Sequence, residues 1–157
     1  NEAIEYALKK DVLIIQAAGN DKRNIDLITY FPSAKDAQGK IFPNYLRVGS
    51  SDKKGQLSQF SNYGAKEVDV FAPGEEITSV TVGNKYMVSQ GTSIATPIVS
   101  GVAAMLRAYF PKLTATQIKE ILIKSVRPAD NLKDRCTSGG IIDALQAVKL
   151  ATEYKKR

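Results

Sequence analysis

The sequence predicts an α/β fold, a parallel sheet with packed helices, and three observations carry that prediction. Residues 12–18, VLIIQAA, are a continuous apolar run with β-branched members, the pattern of a strand covered on both faces. Helical and extended patterns alternate through the first half of the chain, as parallel strands joined by crossovers require. Residues 93–109 form a long apolar stretch rich in small residues (Ala95, Ser100, Gly101, Ala103, Ala104), the composition of a helix buried on most sides.

The elements follow in order. Residues 1–10 place Ile4, Ala7 and Leu8 on one face of a helix. The buried strand at 12–18 ends at Gly19-Asn20-Asp21. Residues 21–41 have no period and contain Pro32, Gly39 and the aromatic pair Tyr30-Phe31, which reads as a long surface loop. Strands are expected at 45–50 and 67–72, the second stopped by Pro73-Gly74. Residues 76–82 and 85–90 read as a hairpin around Gly83-Asn84. After the helix at 93–109, Thr114 followed three residues later by Gln117 is a capping-box pattern opening a helix over 114–126. A last helix covers 142–154, with Ala144, Leu145 and Val148 facing inward.

The 157 residues are one domain by length, with 43% hydrophobic and 24% charged residues. No apolar run approaches the ~18 residues of a membrane span. The chain opens on Asn1 rather than Met and runs directly into helical sequence, the start expected of a fragment or a processed product. The net charge of +6 is dispersed, densest at Lys155-Lys156-Arg157, and no basic stripe with interleaved aromatics points to nucleic acid. One cysteine, Cys136, leaves no internal disulfide, and no histidine is present. A His-based zinc site and a Ser-His or Cys-His pair within this chain are thereby excluded. Asp21, Asp26 and Asp36 lie in or beside the loop at 21–41, where carboxylates are usually solvated. No metal and no cofactor is assigned.

Two segments carry chemistry. Gly91-Thr92-Ser93-Ile94-Ala95-Thr96-Pro97 sets a serine at the start of a helix, near free backbone N–H groups and the positive end of the helix dipole. Those groups suit a developing oxyanion. Thr92 is placed to cap the helix, and Pro97 falls near the first turn, where a missing N–H costs least. The same seven residues also read as an ordinary helix start. Ala17-Ala18-Gly19-Asn20 ends a buried strand, where ligands of open α/β sheets bind. Asn20 there either points its amide into a cleft or simply makes a turn.

Together the two segments resemble the subtilases, the subtilisin-like serine peptidases. Residues 91–97 are similar to that family's G-T-S-x-A-[ST]-P nucleophile motif, and 17–20 to its oxyanion-hole asparagine segment. Phe42-Pro43, Gln59–Gly64, Val68–Gly74, Thr114–Val126 and Gly139–Ala144 resemble further family segments in the same order. The chain departs from the pattern at Ile98, where the family usually carries histidine. It departs also at Thr96, at Ser100, and in the length of the loop at 21–41.

The resemblance implies an incomplete subtilisin-like fold, the C-terminal part of a catalytic domain whose triad Asp and His lie upstream of Asn1. It implies a serine endopeptidase with Ser93 as nucleophile and Asn20 as oxyanion donor, and Ala17, Ala18 and Gly19 as one wall of the pocket for the residue before the scissile bond. Small residues in that wall leave room for a sizeable side chain. Tyr30 and Phe31 either rim the cleft or anchor their loop. The expected partners are a polypeptide substrate and the upstream half of the domain, and the expected location is secreted or periplasmic. Without histidine the fragment alone is expected to be inactive, and half a sheet with uncovered faces is expected to self-associate. The alternative is a catalytically dead subtilase fold that binds peptides. A nucleotide-binding α/β domain would need a glycine-rich strand-to-helix turn, and none is present.

Overall fold

The computed structural model describes residues 1–36 and 38–154, so the basic tail at 155–157 lies outside the described residues. A five-stranded sheet forms the centre. Its strands are β1 (Ile14–Ala17), β2 (Tyr45–Ser51), β3 (Val70–Pro73), β6 (Arg127–Pro128) and β7 (Gly140–Ile141), in the order β1-β2-β3-β7-β6. The pairs β1–β2, β2–β3 and β3–β7 are parallel, and β6 closes the far side antiparallel to β7. The predicted parallel sheet is therefore present, with one antiparallel strand at its border.

Three helices cover one face: α2 (Thr92–Tyr109), α3 (Ala115–Lys124) and α4 (Ala144–Tyr154). Leu46 and Val48 of β2 and Val70 and Ala72 of β3 meet Ala95, Val99 and Leu106 of α2, with Ile118, Ile121 and Leu122 of α3 behind them. The capping box forms as the sequence predicts: Thr114 Oγ1 accepts from Gln117 N, and Gln117 Oε1 accepts from Thr114 N at 2.8 Å. On the opposite face a second cluster gathers Ala18, Ile25, Val68, Phe71, Leu132, Cys136 and Ile141. Helix α1 (Glu2–Lys9) buries only Ile4 fully, against Ala34, Phe42 and Tyr45.

The structure corrects the sequence reading in five places, the first of them on α4, where Ala144 and Leu145 face solvent and Ala147 and Ala151 turn inward. Strand β1 is at the border of the sheet, and its four residues are only half-buried, because no strand among those described pairs with its outer side. The loop at 21–41 contains a 3₁₀ turn, Ile25–Leu27, that drives Ile25 into the core. Two-residue strands such as β6 and β7 have no period to read and were not expected. Pro97 is the sixth residue of α2, beyond the four free N–H groups, so it removes the donor that Ser93's carbonyl would have used.

The hairpin of β4 (Ile77–Thr81) and β5 (Lys85–Ser89) forms around Gly83-Asn84 as expected. It makes a separate two-stranded sheet. Its pairs Val80–Tyr86 and Thr78–Val88 share a face with Val82, and the four apolar members of that face are 64–89% exposed.

Candidate active site

The end of β1 and the start of α2 are joined, across 72 and 73 residues of sequence, by a small hydrogen-bond set. Asn20 Oδ1 accepts from both Thr92 N (2.9 Å) and Thr92 Oγ1 (3.0 Å), and Thr92 Oγ1 accepts in turn from Gly19 N at 3.1 Å. Thr92 is thus the first helical residue rather than the cap. Gly91 is the N-cap and contributes no side-chain bond. One of the orphan N–H groups of α2 is satisfied from outside the helix, by Asn20.

This fixes the asparagine amide. With Oδ1 committed to Thr92, Nδ2 faces the other way. A Cβ on Gly91 would sit 3.1 Å from Ser93 Oγ, 3.5 Å from Asn20 Nδ2 and 3.8 Å from Ser93 N. The space left by the missing side chain is a hollow onto which a hydroxyl and two N–H donors converge. Gly91 is also the residue that can hold this backbone, since its φ of 144° is closed to side chains in practice. Ser93 and Asn20 are both solvent-exposed.

The loop behind Asn20 is held by a residue that sequence reasoning gave no role. Asn62 is fully buried. Its Nδ2 donates to Ala18 O (2.9 Å) and Asp21 Oδ2 (3.2 Å), and its Oδ1 accepts from Asp21 N (3.0 Å) and Arg23 N (2.9 Å). Asn62 N also donates to Gly19 O at 2.9 Å. The signal was the segment Gln59–Gly64, visible as a motif but silent on which of its residues acts and on what. Ala17, Ala18 and Gly19 directly precede Asn20 in the chain, Ala18 fully buried and the other two half-buried.

The loop carboxylates are used locally. Asp26 accepts from Lys66 N and Glu67 N, and Asp36 from Gln38 N and Lys40 N. Among the described residues no group of three His, Cys, Asp or Glu is arranged to hold a metal. Burial pushes the Cys136 thiol above its ordinary range, which leaves it a poor nucleophile.

Residues 1–144 match the family model described as Subtilase family. The chain belongs to the subtilase family. It is 35% identical over 147 residues to the major intracellular serine protease of Bacillus subtilis, covering 88% of this chain and 43% of that protein. It is 37% identical over 156 residues to an extracellular basic protease of Dichelobacter nodosus, covering 92% of this chain and 24% of the relative. Among solved structures, the prenylagaramide maturation protease PagA superposes with a TM-score of 0.78 at 32% identity, over 97% of this chain and 55% of that one. The A-subunit of the AB5 toxin from E. coli gives a TM-score of 0.79 at 28% identity, over 96% and 54%. The chain therefore spans less than half the length of these curated relatives and just over half of these solved chains. Its α/β fold is that of subtilisin-like protease domains.

Proposed function

We propose that this chain is the nucleophile-bearing half of a subtilase catalytic domain, which as a whole hydrolyses peptide bonds through an acyl-enzyme on Ser93. The observation that carries the reading is the convergence of Ser93 Oγ, Ser93 N and Asn20 Nδ2 on the hollow above Gly91. An attacking hydroxyl and two oxyanion donors are what an acyl transfer needs within one small space.

In this mechanism Ser93 Oγ attacks the scissile carbonyl while an imidazole takes its proton. The carbonyl oxygen becomes an oxyanion held by Asn20 Nδ2 and the Ser93 backbone N–H. Collapse of the tetrahedral intermediate breaks the C–N bond, the imidazolium gives its proton to the leaving amine, and water then hydrolyses the ester. The imidazole and the aspartate that orients it come from outside this chain, which has no histidine. In subtilisin itself, loss of the serine or the histidine costs about 10⁶-fold in rate, so the chain alone is expected to be inactive.

The free side of β1 and the exposed residues Pro97, Gly101 and Ala104 of α2 support a partner surface here. A cleft of about 360 Å³ beside them is lined by Leu13, Ile15, Ser100 and Ala104. The upstream half of the domain is the occupant that fits this reading. A location outside the cytoplasm is proposed from the extracellular relative, although the B. subtilis relative is named as intracellular. No helix of the described residues is long and apolar enough to cross a membrane.

The test is casein hydrolysis by the complete catalytic domain beside its Ser93→Ala variant. Hydrolysis that the substitution abolishes is expected. A well-folded, mature domain with no hydrolysis would favour the peptide-binding, catalytically dead alternative.

A further inference from the structure

We infer that Asn62 is a positioning residue for the proposed reaction: it fixes the turn that carries Asn20, and through that turn the oxyanion donor, without meeting substrate itself. The inference rests on the functional reading above and deepens it. A donor of this kind works only when it stands about 2.7–3.1 Å from the oxyanion it stabilises. Asn20 is solvent-exposed on a loop, so its place has to be set by neighbours. Thr92 directs the Asn20 side chain, by occupying Oδ1. Asn62 directs the main chain. Its hydrogen bonds bracket Asn20: Ala18 O and Gly19 O accept from it on one side, and Asp21 N and Arg23 N donate to it on the other.

The Asn62 amide has one usable orientation. Oδ1 meets two N–H donors, whereas Nδ2 meets the Ala18 carbonyl and the Asp21 carboxylate. A turned amide would set donors on donors and oxygen on oxygen. Asp21 thus orients Asn62 as Asn62 orients the turn. The fit is close: a Cβ on Gly19 would lie 2.6 Å from Asn62 Nδ2, at a backbone φ of 97° that a side chain would strain. The two segments are also joined by main-chain bonds of their own, Lys22 N to Phe60 O at 2.9 Å and Tyr63 N to Arg23 O at 3.0 Å. Loss of the Asn62 side chain is therefore expected to leave the segments paired and the turn between them loose. Asn62 is fully buried, so it presents nothing to substrate. Its leverage is through geometry, since a displacement of about 1 Å at a reacting centre costs on the order of 10²-fold.

A double-mutant cycle reads the inference, with the complete catalytic domain as native, Asn62→Ala, Asn20→Ala and the double variant on one peptide p-nitroanilide. Asn62→Ala is expected to lower kcat by about 10–100-fold with KM within about twofold of native, between an intact donor and a lost one. In the Asn20→Ala background no donor remains to be placed, and the same substitution is expected to cost less than about threefold. An equal loss in both backgrounds, or a native kcat in a folded Asn62→Ala domain, overturns the inference. If Asn62→Ala does not fold, Asp21→Ala removes only the exposed carboxylate that orients the amide. It is expected to lower kcat by about threefold or more, and Asp21→Asn, which keeps an acceptor, to recover the loss. A native kcat for Asp21→Ala then sinks the inference. If the native domain does not hydrolyse the substrate, the functional reading fails by itself. Amide exchange at Thr92, whose buried N–H donates to Asn20 Oδ1 at 2.9 Å, then reads the placement without catalysis. Exchange about tenfold or more faster in Asn62→Ala or Asp21→Ala than in native is expected, and unchanged exchange contradicts the positioning role.

Discussion

Asn20 divides its amide between two tasks: Oδ1 accepts from Thr92 at the start of α2, and Nδ2 faces the hollow by Ser93. The tasks are separable. Asn20→Asp keeps an acceptor for Thr92 but loses the donor, so the complete domain is expected to slow by about 10²–10³ with little change in melting temperature. Asn20→Ala loses both and is expected to lose about 1 kcal/mol of stability in addition, the cost of an absent cap. Steady-state kinetics and a thermal melt on the same two variants check the split, and equal melting temperatures for Ala and Asp would contradict it. Asp11 is a second residue with a testable charge. The backbone N–H of Ala115 and then the Arg107 guanidinium hold its carboxyl below the usual carboxylate range. A depressed folded value means that its contribution is present above the unfolded value, near 4, and is lost as pH falls through the folded one. Asp11→Asn, which tolerates the same left-handed backbone (φ 55°), should therefore melt lower than native at pH 7, and the gap should close as acid protonates the Asp11 carboxyl. A gap that persists at low pH would assign the effect to shape rather than charge.

The elements divide into those the sequence announces and those it hides. The capping box at Thr114 and the hairpin at Gly83-Asn84 are written in local chemistry and form as written. The small residues of α2 mark a helix pressed onto the sheet, and Ala95, Val99 and Leu106 do meet it. Strand β1 misleads, because an apolar run looks the same at the border of a sheet as at its centre, and what covers it is a tertiary fact. Ser93 and Asn20 were legible from motifs. The geometry that unites them was not, since Thr92 and Asn62 act through bonds spanning 72 and 44 residues. The exposed apolar face of the β4–β5 hairpin and the open side of β1 together predict that the isolated chain self-associates. Light-scattering mass should rise with concentration, and Val80→Lys with Tyr86→Lys should reduce that rise. A monomer at all concentrations would count against it.

At the scale of the molecule, the sheet and its helices act as a platform that brings one strand end and one helix start together. The Arg47–Glu67 pair is part of that platform, with Arg47 of β2 fully buried and the Glu67 side chain 15% exposed, and it fastens the loop bearing Tyr30. Removing one partner of such a pair strands the other charge. Glu67→Ala is therefore expected to destabilise the complete domain by about 3 kcal/mol in denaturant titration, and a change under ~0.5 kcal/mol would show that the anchor is dispensable. The family identity of the chain follows from features spread along nearly its whole length, whereas the chemistry we propose for it rests on one hollow and on an imidazole that this chain, without histidine, does not supply. Mass-mapped fluorophosphonate labelling tests that claim most directly, on this chain alone and on the complete catalytic domain. The account predicts one adduct, on Ser93, in the complete domain and none in the isolated chain. A mature, folded domain without an adduct on Ser93, or labelling of the isolated chain at a comparable rate, would contradict it.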